Sequence, residues 1–431
     1  MAQRIGRRVA IVGGVRTPFV KSGTVFRDLT ALDLGKLVVS ELVQRTELPV
    51  AQIDQLVFGT VIHKVSVSNL AREIVLAAGL PKTLEAFSVT RACATGMQAM
   101  TCAADSIALG QIDVAIVGGV EAMSDIPITY SRPVAKAIVN ASKGKSIVDK
   151  IRAFSDVQAK DLLPVAPAIA EYSTGLSMGE SAEKMAKENG ISREAQDAWA
   201  HQSHSRAARA WETGAFANEV MHVLVPPKFD NAVIEDNTVR KDSTLEGYAR
   251  LKPVFDKRYG TITAGTSSPL TDGAAALLLM SEEKARELGM KPLGFLRSYA
   301  YAAVDPSWQL LQAPAFSAPK ALKRAELALA DIDLVEIHEA FAAQVLSNLQ
   351  AWGSKKFADE HLNGALPIGE VPESKMNPNG GSIALGHPFS ATGPRMVHQA
   401  LRELAARGQN TALLSVCTAG GMGVAVILER E

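Results

Sequence analysis

Cys93 stands where its side chain could act as a nucleophile. It follows the strand-like segment SVT (88–90) and precedes a predicted helix with almost no intervening residues. A thiol at a helix N-terminus experiences the positive end of the helix dipole, which favours the nucleophilic thiolate. A cysteine considered alone is more often a small buried apolar residue. Cys102, inside the predicted helix, lacks this setting, and we interpret it as structural.

Three further residues could supply acid–base and oxyanion chemistry. His387 lies in NPNGGSIALGHPFSATGPR, where glycines and prolines predict a loop shaped around a site, and its imidazole could accept a thiol proton. Cys417 ends a predicted strand before a small-residue turn, whose backbone N–H groups could bind an oxyanion. His338 leaves a strand in EIHEAFAAQ and could donate a hydrogen bond to a thioester carbonyl. No histidine follows at position 342, so the zinc motif H-E-x-x-H is excluded.

Composition excludes several other classes of protein. The 431 residues carry 45 Lys plus Arg and 45 Asp plus Glu, so the balance gives no basic footprint for nucleic acid. No P-loop or G-x-G-x-x-G motif supports a nucleotide cofactor. Three cysteines in so long a chain predict free thiols in a reducing compartment rather than a disulfide scaffold. The N-terminus lacks the apolar region of a secretory signal, so we expect a bacterial cytoplasmic protein, with a mitochondrial location as an alternative.

Short apolar runs alternate with helix-like patterns and predict a layered α/β fold. The chain also repeats itself: AQIDQLVF (51–58) resembles ADIDLVEI (330–337), and the tripeptide ATG at 94–96 recurs at 391–393 before a helix and a strand. We infer two related α/β halves. The charged, alanine-rich region between them could be a solvated linker, but its length favours a lid over a long ligand.

Ordered motifs along essentially the whole chain resemble the thiolase family. They include VRTPF (15–19), GGVEAMSDIP (118–127), SMGESAE (177–183), GTITAGTSSPLTDGAA (260–275), HEAF, GHPFSATG and CTAGGMG. The resemblance implies the thiolase fold: two similar βαβαβαββ halves in a five-layered α/β/α/β/α core with an inserted loop domain. The N-terminal half would cover 1–123 and be completed by about 250–285. The loop domain would cover 124–249 and the C-terminal half 286–431.

The resemblance also assigns roles. Cys93 matches the acylated nucleophile, His387 its activating base, and Cys417 the second acid/base. The backbone N–H groups of Cys93 and Ala419 match one oxyanion hole, and His338 helps to build the other. Residues that match the groove for CoA and its substrate are Ser268, Ala264, Phe341 and Met178. The implied reaction cleaves 3-oxoacyl-CoA with CoA, which is a substrate, so no cofactor and no metal are expected.

Departures from the common family pattern indicate the substrate. HEAF in place of NEAF and the long segment 128–176 resemble the thiolase subunit of the fatty-acid β-oxidation complex, and with Ser177 they favour medium or long chains. Ser390 stands where Gly is usual and would be strained if that position needs φ > 0. The alternatives are a biosynthetic acetoacetyl-CoA thiolase and a non-catalytic thiolase-like lipid carrier.

The resemblance further implies a homodimer. The basic, helix-prone segment 128–176 suggests a docking surface for a hydratase/dehydrogenase α subunit or a peripheral membrane contact, although an ordinary lid helix explains it equally well.

Overall fold

The computed structural model describes residues 6–165 and 170–431, so the first five residues of the N-terminus interpreted above lie outside the described part. Within it, the strands are β1 (Val9–Arg16), β2 (Val20–Lys21), β3 (Gln55–Gly59), β4 (Glu85–Val89), β5 (Val114–Glu121), β6 (Val223–Leu224), β7 (Ala232–Val233), β8 (Thr271–Ser281), β9 (Gly294–Ala303), β10 (Leu334–Ile337), β11 (Thr411–Thr418) and β12 (Met422–Glu429).

The helices separate these strands much as the apolar periodicity predicts. They are α1 (Ala31–Thr46), α2 (Leu70–Ala77), α3 (Thr95–Ala108), α4 (Arg132–Lys143), α5 (Ile147–Arg152), α6 (Met178–Glu188), α7 (Arg193–Glu212), α8 (Leu245–Ala249), α9 (Glu282–Glu287), α10 (Pro314–Ala325), α11 (Ala342–Gly353), α12 (Lys355–His361), α13 (Ser382–Leu385) and α14 (Phe389–Arg407).

One mixed sheet joins the two halves of the chain. Its strand order is β10-β11-β12-β9-β1-β8-β5-β3-β4, with β2 paired to β8. β3 runs parallel to β4 and β5, and β10 runs parallel to β11. The halves meet where β1 pairs antiparallel with β9, Val9 lying opposite Leu296.

The predicted duplication is visible in this order. β1, β3, β5 and β8 of the first half correspond to β9, β10, β11 and β12 of the second, and α3 corresponds to α14. The equivalent of β4 is reduced to an isolated bridge between Val335 and Met376. Prolines 372 and 378 flank that position, and proline cannot donate a ladder hydrogen bond.

Five layers follow from the apolar clusters. One cluster buries α1 and α2 on the first half of the sheet, and another buries α10 and α11 on the second half. Between them, α3 and α14 pack against strands of both halves. These helices approach closely at Gly96, where an added Cβ would lie 2.3 Å from the Ser390 carbonyl oxygen. The predicted α/β/α/β/α core is confirmed.

The region 124–249 carries α4 to α8 and the β6–β7 ribbon. The helix-prone segment 128–176 holds two separate helices, α4 and α5, because Gly144, in an extended conformation, ends α4. A buried ion pair ties the region to β1: the Arg16 guanidinium lies 2.6 Å from Asp236 and also contacts Glu219. The domain boundaries themselves stay predictions. Among the described residues, no helix combines the length and apolar character that crossing a membrane requires.

Candidate active site

Cys93 lies in a tight strand-to-helix turn. β4 ends at Val89, and α3 begins at Thr95. Ala92 adopts φ +42°, a conformation that is costly for a residue with a side chain. The Thr95 hydroxyl accepts the Arg91 N–H and donates to the Ala92 carbonyl, both at 2.7 Å. These hydrogen bonds hold the strained turn that presents the Cys93 thiol.

His387 and His338 converge on this thiol. A ring nitrogen of each histidine and the Cys93 sulfur all lie within 4.8 Å of one another. The two imidazole centroids are 4.1 Å apart. Nδ1 of His387 bonds to the Thr392 hydroxyl at 2.7 Å, and Nδ1 of His338 bonds to the Ser382 hydroxyl at 2.8 Å. Both Nε2 atoms are buried without a protein partner, so each remains available to a reacting group.

The hydroxyl partners are compatible with different tautomers of the two histidines. The Ser382 hydroxyl accepts a hydrogen bond from Arg395 at 3.4 Å, so its own proton is free to go to Nδ1 of His338. His338 then carries its proton on Nε2 and is a donor. His387 acts as a base through Nε2 when its Nδ1–H is donated to Thr392. One ring can therefore stabilise an oxyanion while the other accepts a proton.

Burial keeps these groups neutral in the free protein. Desolvation, with a smaller contribution from Arg395, lowers the pKa of His387 to about 3, and desolvation lowers the pKa of His338 well below its usual range. Desolvation also raises the pKa of the Cys93 thiol to about 12. Desolvation therefore outweighs the backbone N–H groups that favour the thiolate, so the Cys93 thiol is protonated at rest. A thiolate at Cys93 would therefore need a base to take the proton, and the neutral His387 is the predicted one.

The turn after β11 brings two more predicted groups to the thiol. The backbone N–H groups of Ala419 and Cys93 face the Cys93 sulfur, where they lower the pKa of the thiol. Cys417 is buried at the end of β11, opposite Gly423 of β12. Burial, together with the nearby Cys93, raises the pKa of Cys417 well above its usual range. It is therefore protonated at rest, as a general acid requires.

The predicted groove residues lie around one shared loop. Met178 and Phe341 pack in the apolar cluster that contains Cys417. The Ser268 N–H donates to the Ala340 carbonyl at 3.0 Å, which places the 264–270 loop against HEAF. Ala264 alone of the four predicted groove residues lines a cavity of about 240 Å³.

Several residues of that cavity were missed from the sequence. They are Arg240, Ser243 and Thr244 before α8, Tyr248 in α8 and Leu251 after it. A cation beside hydroxyl groups suits a phosphate-bearing ligand. The sequence feature that could have indicated this cavity is the pair of basic residues at 240–241 within a polar stretch.

Two buried carboxylates, also missed, brace the site. Glu339 of HEAF accepts hydrogen bonds from Asn377 at 2.8 Å and Ser203 at 2.7 Å, so it fixes the start of the segment that leads from Asn377 to His387. Glu121 accepts from the Ser390 hydroxyl at 2.7 Å. Ser390 lies in α14 without a positive φ, so the strain considered for this position is not present. Burial raises the pKa of Glu121 to about 7.

Cys93, His338 and His387 also form the only grouping of three ligand-type residues found in the described ranges that could hold a metal ion. The donor set suits zinc. The same atoms are those predicted to act as nucleophile, hydrogen-bond donor and base, and the expectation that no metal is needed stays a prediction.

Comparison with known proteins places the chain in a family. Residues 9–283 match the model of the thiolase N-terminal domain, and 290–430 match that of the thiolase C-terminal domain. Proteins named 3-ketoacyl-CoA thiolase are 52% identical in Escherichia fergusonii and 51% in Salmonella paratyphi C, each over all of this chain and 99% of the relative. A crystal structure of the Bacillus anthracis acetyl-CoA acetyltransferase is 33% identical, with a TM-score of 0.84 over 99% of this chain and all of that one. The chain therefore belongs to the thiolase family.

Proposed function

We propose that this protein is a 3-ketoacyl-CoA thiolase of fatty-acid β-oxidation, an acetyl-CoA C-acyltransferase. The observation that carries the proposal is the convergence of the Cys93 sulfur with a ring nitrogen of each histidine within 4.8 Å. The relatives that are 50–52% identical over the full chain and carry that name support the degradative direction.

The geometry supplies each step of the reaction. His387 Nε2 takes the Cys93 proton as the sulfur attacks the 3-oxo carbon, and the Cys93 and Ala419 N–H groups stabilise the resulting oxyanion. The C2–C3 bond then breaks. The enolate of acetyl-CoA is stabilised by His338 Nε2–H and protonated at carbon by Cys417. Free CoA then gives its thiol proton to the Cys417 thiolate and attacks the thioester, and the departing Cys93 thiolate recovers its proton from His387.

CoA itself is proposed to lie along the cavity lined by Ala264 and Arg240, with its pantetheine arm passing Ser268, Phe341 and Met178 towards Cys93. The guanidinium would pair with a phosphate of CoA.

A chain-length comparison tests the substrate. We expect thiolysis of 3-oxohexadecanoyl-CoA with a kcat/KM above that for acetoacetyl-CoA, and no turnover by Cys93→Ser on either substrate. Activity confined to the four-carbon substrate would instead establish the biosynthetic acetoacetyl-CoA thiolase. Absence of activity on both would leave the lipid carrier.

The assembly is proposed to be a homodimer. β4 is the outer strand of the sheet, its Phe87 and Val89 are only half-buried, and it leads directly to Cys93. An uncovered edge strand favours pairing with a second chain. Light scattering after gel filtration should give twice the mass of the 45.7 kDa chain, and a monomer would contradict this.

The segment 128–176, of which 166–169 lie outside the described residues, is proposed to dock a hydratase/dehydrogenase α subunit. It exposes Ile147 (77%), Ile151 (70%) and Leu163 (68%) beside Lys145 and Lys150. Ile147 and Ile151 lie one turn apart on α5, and exposed apolar side chains that share a helix face support an interaction surface. Ile147→Ser with Ile151→Ser should abolish co-purification with the α subunit but leave thiolysis unchanged. If this variant lost binding to lipid vesicles but still co-purified with the α subunit, the segment would instead be a membrane contact.

We further place the protein in the bacterial cytoplasm, which is where a mechanism that needs reduced thiols can operate. Its three cysteines are free, and the relatives named above are bacterial. Fractionation of the native cell tests this location.

A further inference from the structure

A short hairpin, residues 170–177, precedes α6 and contacts the turn 419–421 between β11 and β12. Ala170 bridges Ser177, the Glu171 N–H donates to the Leu176 carbonyl, and the Gly175 N–H donates to the Glu171 carbonyl, the last two at 2.8 Å. These backbone contacts fix the position of Glu171 without help from its side chain. The carboxylate is therefore available for a contact outside the hairpin.

That contact is with the turn that carries the oxyanion donor. The Gly420 N–H donates to Oε2 of Glu171 at 2.7 Å. Oε1 of the same carboxylate accepts from the Ser173 hydroxyl at 3.0 Å, which orients it. Gly420, at φ +79°, directly follows Ala419, whose own N–H faces the Cys93 sulfur.

The opposite side of the turn is anchored separately. The Gly421 carbonyl accepts the Val304 N–H at 2.7 Å. Gly420 and Gly421 both have positive φ, and glycine pairs have little intrinsic preference for one conformation. Without an anchor at Gly420, rotation about the backbone of this pair would change the direction of the neighbouring Ala419 N–H.

We propose that Glu171 is a positioning residue for acyl transfer at Cys93, holding the Ala419 N–H on the oxyanion by hydrogen bonding the next peptide group. The inference rests on the proposed thiolase function. It assigns to Glu171 an effect on the two tetrahedral intermediates at Cys93. It assigns no effect on the acetyl-CoA enolate, which lies against His338 and Cys417.

The charge of Glu171 does not help this role, because a carboxylate near an oxyanion opposes its formation. The hydrogen-bond acceptor is what matters. Glu171→Gln keeps an acceptor oxygen and removes the charge, whereas Glu171→Ala removes both. The two variants therefore separate positioning from electrostatics.

Two exchange reactions of the purified full-length protein test the proposal. Exchange of labelled CoA into palmitoyl-CoA reports acyl transfer at Cys93. Exchange of the C2 protons of acetyl-CoA with D₂O reports enolate formation on the acetylated protein. The exposed Glu212, on α7, provides a matched control as Glu212→Ala.

We expect Glu171→Ala to lower CoA exchange about tenfold, less than the 10²–10³ typical of losing a whole oxyanion donor. Proton exchange should stay within twofold of wild type, and Glu171→Gln should recover at least half of the CoA-exchange rate. Equal loss in both exchanges, equal loss in the Ala and Gln variants, or no loss in Glu171→Ala would overturn the inference. No exchange by the wild-type protein would instead refute the thiolase function on which it rests.

Discussion

Thr392 should influence the rate of acylation through its hydrogen bond to His387. Its hydroxyl bonds to Nδ1 of His387 at 2.7 Å, and Nε2 of the same ring is the proposed base. Thr392→Val removes the hydroxyl while conserving shape. The ring then loses the acceptor that the proposed Nδ1–H tautomer uses, and in the alternative tautomer Nε2 carries the proton and cannot accept another.

The size of the effect follows from the hydrogen bond. Loss of a buried hydrogen bond that leaves one partner unsatisfied costs about 1–3 kcal/mol. If about 1–2 kcal/mol of this cost raises the free energy of the tautomer that carries its proton on Nδ1, acylation slows by roughly 5- to 30-fold, at 1.36 kcal/mol for each factor of ten.

Stopped-flow acylation with 3-oxohexadecanoyl-CoA measures this rate directly. Thr392→Ser keeps the hydroxyl and should stay within about threefold of wild type. Circular dichroism and urea unfolding of both variants check that the fold is intact. Acylation by Thr392→Val at the wild-type rate would refute the assignment of His387 Nε2 as base, and so would an equal loss in Thr392→Ser.

Three other expectations follow from buried polar groups. Burial lowers the pKa of His204 to about 4, so a neutral ring stabilises the fold above pH 6.5 and this contribution falls as the pH drops towards 4. Between pH 6.5 and 5 the free energy of unfolding in urea should therefore fall by about 2 kcal/mol less for His204→Asn than for wild type, at 1.36 kcal/mol per pH unit; the same pH dependence in both proteins would contradict this. Ser390→Gly should destabilise the protein by about 1–3 kcal/mol because Ser390 donates to the buried Glu121; a rise in the unfolding midpoint would show that the serine is strained. Cys417→Ala should lower C–C cleavage about 10²- to 10⁴-fold while palmitoyl-CoA still acylates Cys93, and full turnover would remove Cys417 from the mechanism.

The sequence predicts the site best where the role of a residue depends on its neighbours along the chain. The glycines and prolines around His387 and the strand-to-helix transition at Cys93 identify positions of special backbone geometry. Apolar periodicity locates strands such as β5 and β11 closely. It does not identify β9, because GFLRSYAYAA mixes a charged and several small residues with its apolar ones.

What the sequence could not supply depends on contacts between distant segments. The hydroxyls of Ser382 and Thr392 are ordinary in sequence, and only the folded loop makes them partners of the two histidines. The same holds for Glu171, far from the turn that it contacts. The protonation state of Cys93 is also out of reach of the sequence, because a helix start is visible there, whereas desolvation by the surrounding fold is not.

The central claim is that Cys93 carries the acyl group during the reaction. Intact-protein mass after mixing with 3-oxohexadecanoyl-CoA in the absence of CoA tests it directly, beside a Cys93→Ser control. We expect a palmitoyl adduct on the native protein that disappears when CoA is added and is absent from the control. An adduct of the same mass on Cys93→Ser, or thiolysis at a steady rate without any adduct on the native protein, would contradict the account.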